Sequence, residues 1–65
     1  MKFLRLKSVM ALTGLARATI YQYIAAGTFP RAVPLGGRSV AWLESEILEW
    51  MSARVAERDI AGGGA

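Results

Sequence analysis

Thr13-Gly14-Leu15-Ala16-Arg17-Ala18-Thr19-Ile20-Tyr21 is the stretch on which the reading of this chain turns. It starts where one apolar set ends and runs into a second. Before it, Leu6, Val9, Met10 and Leu12 recur at helical spacing. From it onward Leu15, Ile20, Tyr23 and Ile24 do the same, and residues 19–26 hold no helix breaker. The spacing predicts two helices, at about 7–12 and 17–26, joined by Thr13-Gly14-Leu15-Ala16. A short connection containing Gly, between a short helix and a longer one, is the layout of a helix-turn-helix. Val9, Leu15, Ile20 and Tyr23 are the side chains expected to pack the two helices together. Gly27 fits the left-handed position just past a helix end.

Beyond this unit, Phe29-Pro30 halts helical propagation, because Pro disfavours the α conformation in the residue before it. Arg31-Ala32-Val33-Pro34-Leu35 and Arg38-Ser39-Val40-Ala41-Trp42 then flank Gly36-Gly37, which reads as a two-residue hairpin turn. That turn would set Leu35 opposite Arg38, Val33 opposite Val40 and Arg31 opposite Trp42, with Val33, Val40 and Trp42 on the core face. Pro34 cannot donate to a ladder, so its strand is expected at an edge. The last helix is predicted at about 44–58, with Leu43, Ile47, Trp50, Met51 and Val55 as its apolar stripe. Glu44, Glu46, Glu49, Ser52 and Glu57 cover the other side. Trp42 and Trp50 are expected to be the two largest core residues rather than a platform for stacked bases. The fold class is therefore mainly α with a small β-hairpin. It is a winged helix-turn-helix: two helices, a Gly-Gly hairpin wing and a C-terminal amphipathic helix. Residues 1–59 make one domain, and 60–65 a Gly-rich tail expected to be disordered.

Composition narrows the function. The chain has 65 residues, 54% of them hydrophobic, which suits one small domain. It has no Cys and no His, so disulfides, Cys/His zinc sites and Ser-His-Asp chemistry are excluded. The five acids suit the outside of one helix better than a catalytic pair, so neither an enzyme nor a cofactor is expected. No run approaches the roughly 20 apolar residues of a membrane span, and the N-terminus lacks the apolar core of a signal peptide. The cytoplasm is the expected address, with no membrane partner.

Charge is segregated along the chain. Residues 1–38 hold Lys2, Arg5, Lys7, Arg17, Arg31 and Arg38 and no acid, a net +6. Residues 39–65 set Arg54 and Arg58 against all five acids, a net −3. The basic part suits a polyanion. On the second helix the outward positions are Arg17, Ala18, Tyr21, Gln22 and Ala25. Gln can pair with adenine and Arg with guanine, and the methyl groups of Ala18 and Thr19 can touch thymine. Arg38 is placed to reach a phosphate or a minor groove. Arg31 could do the same or stack over Trp42 as a cation–π pair. Lys7, at the start of the first helix, is the other candidate for a backbone contact, whereas Lys2 and Arg5 are expected to be solvated.

Arg5-Leu6-Lys7-Ser8-Val9 followed by Thr13 to Tyr21 resembles the start of the AlpA family of prophage regulators. So do Gly27-Thr28-Phe29-Pro30-Arg31, Leu35-Gly36-Gly37-Arg38, and Val40-Ala41-Trp42 with Glu46-Ile47 and Glu49-Trp50. The resemblance covers about residues 3–56. It implies a winged helix-turn-helix related to excisionases and to the DNA-binding part of MerR-type regulators. By position it assigns Arg17, Thr19, Tyr21 and Gln22 to a recognition helix and Arg38 to the wing. Ala16 departs from the family, which usually carries a capping residue there, and Gln22 stands where a basic residue is frequent. The function expected is sequence-specific binding of double-stranded DNA by a regulator of a prophage or integrative element. An architectural excisionase that bends DNA for an integrase uses the same surface. A third reading, from another class, is a protein–protein inhibitory module docking through its acidic last helix. With no long coiled coil, the chain is expected to be a monomer that assembles with other copies of itself on DNA.

Overall fold

Arg5 to Ala26 fold as the spacing predicts. In the computed structural model, which describes residues 1–61, α1 spans Leu6–Thr13 and α2 spans Arg17–Ala25. Thr13 closes the turn between them. Its Oγ1 donates to the Val9 carbonyl at 2.7 Å and accepts from the Leu15 N–H at 3.2 Å. The Gly14 N–H donates to the Met10 carbonyl at 2.8 Å. Val9 and Ile20 are both fully buried, so each helix sends one side chain to the centre of the core. Tyr23, expected among the packing residues, is instead partly open to solvent, with its ring against Trp50. At the end of α2 the Gly27 N–H bonds the Ile24 carbonyl and the Thr28 N–H bonds the Tyr23 carbonyl. That pair of bonds requires positive φ at Gly27, which stands at +77°.

The sheet has three strands in the order β1-β3-β2: β1 Phe3–Leu4, β2 Val33–Gly36 and β3 Ser39–Leu43. β2, the strand with Pro34, is at an edge as expected. β1 was not foreseen. It pairs antiparallel with β3, Phe3 opposite Leu43 and Leu4 opposite Trp42, and it buries Leu4. Two residues are too few to show an alternating pattern, so its only sequence signal is Phe3-Leu4 between cations.

The hairpin forms one step out of the expected register. Val33 pairs with Ala41, Pro34 with Val40 and Gly36 with Ser39, with an irregularity between Pro34 and Gly36. Leu35 is the extra residue there, and it is exposed. The turn residues are thus Gly37 and Arg38, not Gly36 and Gly37. Gly37 has φ +57° and no non-Gly residue has positive φ, the sign pattern of a type II′ turn. Pro34 contributes no N–H, which leaves the ladder free to slip past Leu35. Two corrections for packing follow: Val33 pairs with Ala41 and so leaves the face of Trp42, and Val40, on the Trp42 face but towards the wing tip, is 37% exposed, while Ala41 and Trp42 are both at 0%. Neighbouring strand residues point to opposite faces, so β3 is covered on both sides at its inner end. Arg31 precedes β2, so it does not sit opposite Trp42, and no cation–π pair joins the two among the described residues.

α3 spans Glu44–Ala61, passing the expected helix end at 58. Residues 62–65 of the expected tail lie outside the described residues. Ile47 is fully buried, and Trp50 and Met51 pack partly against the core. Everything from Ser52 to Ala61 is exposed, Val55 included, so the apolar stripe works only through the first two turns. Trp50 is accordingly half-buried and not the second core tryptophan. The core is Leu4, Val9, Ile20, Phe29, Trp42 and Ile47, with the Trp42 Nε1–H donating to the Pro30 carbonyl at 3.0 Å. Three helices and a small antiparallel sheet with a hairpin wing make this a winged helix-turn-helix.

Candidate nucleic-acid interface

α2 carries most of the candidate residues. Arg17 is its first residue, and Arg17, Ala18, Tyr21, Gln22 and Ala25 are all exposed. One helical face therefore presents a cation, two methyl groups, a phenol and an amide. Thr19 is turned partly inward and is half-buried, so it adds less to that face. The Arg17 guanidinium lies 5.9 Å from the centre of the Tyr21 ring, which holds both side chains over the first turn. Ala16 stands at the N-cap and offers no side-chain oxygen. The first N–H groups of α2 therefore have no capping side chain, and they point to where an anion would be stabilised by the helix dipole.

Arg38 sits in the wing turn itself, exposed, at the tip rather than at the start of the returning strand. Arg31 is exposed ahead of β2, and Lys7 is exposed in the first turn of α1. Among the described residues the salt bridges are Lys2–Glu44 at 3.8 Å, Arg54–Glu57 at 2.7 Å and Arg58–Asp59 at 2.9 Å. Arg5, Lys7, Arg17, Arg31 and Arg38 take part in none of them. The cations tied to acids are thus Lys2 and the two arginines of α3. Lys2, expected to be solvated, is held beside α3, and its carbonyl also accepts the Glu44 N–H at 2.8 Å.

Among the described residues no three His, Cys, Asp or Glu side chains gather as a metal site, and no helix is long and apolar enough to cross a membrane. The hollow in the surface lies elsewhere, between the Gly27–Pro30 turn and α3. Sequence reasoning missed it. Glu46 and Glu49, expected on the side of the helix away from Trp50, instead share a wall with it and Ala53, as the i, i+3, i+4, i+7 spacing of 46, 49, 50 and 53 allows.

Two kinds of similarity place the chain. The family model described as prophage CP4-57 regulatory protein (AlpA) matches residues 2–55, a span that includes every candidate residue. "Uncharacterized protein ORF88" of Enterobacteria phage P4 is 54% identical over 57 residues, covering 88% of this chain and 65% of that protein. The DNA-binding transcriptional activator AlpA of Escherichia coli (strain K12) is 46% identical over 59 residues, covering 82% of this chain and 84% of that protein. This chain thus spans 65% of the length of the phage relative. With a family match over most of its residues, the whole of the helix-turn-helix and the wing included, the chain belongs to the AlpA family of prophage regulatory proteins.

Proposed function

We propose that this protein binds double-stranded DNA in a sequence-specific way and regulates a prophage or integrative element. In this reading α2 enters the major groove, with Gln22 and Arg17 reaching base edges and Ala18, Thr19 and Tyr21 lining the approach. Arg38 at the wing tip, Arg31 and Lys7 contact phosphates or the adjacent minor groove. The observation that carries the reading is the distribution of unpaired charge. Five cations of the first 38 residues are in no salt bridge among the described residues: Arg17 opens the uncapped α2, Arg38 stands in the wing turn, Arg31 precedes β2, and Arg5 and Lys7 stand at the start of α1. The relative named as a DNA-binding transcriptional activator supports the same reading. No cofactor and no catalysis are part of it. Transcription and excision could both be served by this surface, the second through several copies bending an attachment site for an integrase.

The deciding experiment is a gel shift with promoter and attachment-site fragments from the element that carries the gene, each against a shuffled duplex. Preference for one native fragment, weakened by salt, supports the reading. Equal affinity for native and shuffled DNA at all salt concentrations removes sequence specificity. A circular-permutation assay on the preferred fragment then separates a bending excisionase from a regulator that leaves DNA straight.

A further inference from the structure

The hollow between the α2–β2 connection and α3 is built differently from the proposed DNA face. One wall is the backbone of Gly27–Pro30 and the other is the side of α3 that carries Glu46, Glu49, Trp50 and Ala53. The first wall is pinned at both ends by indoles. The Trp50 Nε1–H donates to the Thr28 carbonyl at 2.6 Å, and the Trp42 Nε1–H donates to the Pro30 carbonyl at 3.0 Å. The floor is aromatic: Phe29 and Trp50 both line it, their rings edge-to-face with centroids 4.8 Å apart. The rim is anionic. Of the five acids in the chain, Glu44, Glu57 and Asp59 have salt-bridge partners. Glu46 and Glu49 have none among the described residues, and both line this groove.

A pre-formed groove with an indole in it and two carboxylates on its rim suits a cation, and it repels nucleic acid. Among cations, a guanidinium uses both features at once. Its planar fork takes carboxylates through two parallel N–H donors, and its face stacks on an indole. The Trp50 ring already attracts one such group, since the Arg54 guanidinium of the same helix lies 5.5 Å from its centroid. We propose that this groove is a docking site for an arginine side chain presented by a basic segment of a partner protein. The site and the DNA face carry opposite charge, so one molecule can hold DNA and the partner together. The proposal goes beyond the DNA reading and fails separately from it.

The test is a proton–nitrogen correlation titration of the full chain with acetyl-Gly-Arg-Gly-Arg-Gly-amide. A control peptide carries citrulline in place of both arginines, keeping the shape and losing the charge. Saturable movement of the Trp50 indole signal and of the Gly27 and Thr28 amides is expected. The Trp42 indole, whose ring is fully buried, stays in place and serves as an internal reference. Affinity should fall about tenfold for the citrulline peptide, and as much for the Glu46→Gln/Glu49→Gln variant, because both remove the charge-assisted pairing. That variant should keep its melting curve and its affinity for DNA. No saturation at millimolar peptide overturns the proposal, as does equal binding of the citrulline peptide or of the variant. Movement of the same signals with protein concentration alone, without peptide, overturns it in favour of a second copy as the occupant. Loss of DNA binding by the unaltered protein would sink the DNA reading and leave this one standing.

Discussion

Arg38 and Gln22 represent two kinds of contact that respond differently to salt and to sequence. Arg38 projects from the wing turn and touches no acid. If it neutralises one phosphate, Arg38→Ala should reduce the slope of log affinity against log salt by about 0.9 on every duplex. Its melting temperature should not move. Fluorescence anisotropy across a salt series measures the slope, and an unchanged slope would make the wing a structural flap. Gln22→Ala should instead cost about 1–3 kcal/mol on the preferred site and much less on random DNA, since base contacts carry the discrimination. Equal losses on both would remove Gln22 from base readout. The two tryptophans differ in the same decisive way. Trp42→Ala empties the centre of the core, where truncation of such a ring costs about 3–5 kcal/mol, and should abolish a cooperative urea transition. Trp50→Phe keeps most of the packing and loses one indole hydrogen bond, worth about 1 kcal/mol, so its transition should survive at a lower midpoint. The sequence alone treats these residues alike because both occupy apolar positions of their elements. Only the geometry shows that α3 leaves the core just past Trp50.

The elements were legible in proportion to how well they are punctuated. α1 and α2 are bounded by Gly14 and Gly27 and contain no breaker between, so their limits came out within a residue or so. The wing was readable as a hairpin but not in register, because two consecutive glycines offer two turns and alternation cannot reveal the extra residue at Leu35. A one-residue slip exchanges the faces of a strand, so Val33, expected beside Val40 and Trp42, pairs with Ala41 instead, while Val40 keeps the Trp42 face but lies towards the wing tip, where it is exposed. β1 was illegible, being too short for any period. On the interface, the outward residues of α2 followed from helical spacing, whereas the Thr13 hydroxyl closing the turn and the groove beside Trp50 depend on contacts between elements. Ala16 gives the test that belongs to this scale. Ala16→Ser adds the missing cap to α2 and should stabilise the fold by about 0.5–1 kcal/mol, read as a raised urea midpoint. No rise would mean that the first turn of α2 is already satisfied by other means.

For the whole molecule, the organising fact is that the acids are confined to α3 while the unpaired cations lie on the other elements. α3 also outruns the body it packs on: its last ten described residues bury nothing. Removing residues 56–65 should therefore leave stability within about 0.5 kcal/mol, since the exposed Arg54–Glu57 pair that goes with them contributes little. A clear drop in the urea midpoint would show that this end of the helix packs on something.

The sheet order β1-β3-β2 has a consequence in time. Phe3 and Leu4 are synthesised about 40 residues before their partners Leu43 and Trp42, roughly 2–8 s at ordinary rates of translation. α1 and α2 can pair in that interval, because their contacts are local. The sheet cannot, because its central strand does not yet exist. Residues 1–43 also carry six cations and no acid at all. The ribosome then adds, one after another, the strand that receives β1 and Glu44, whose N–H closes onto the carbonyl of Lys2 and whose side chain meets the Lys2 ammonium. β1 thus waits for the strand beside it to be made, and it gains its place in the sheet and a counter-charge for Lys2 together.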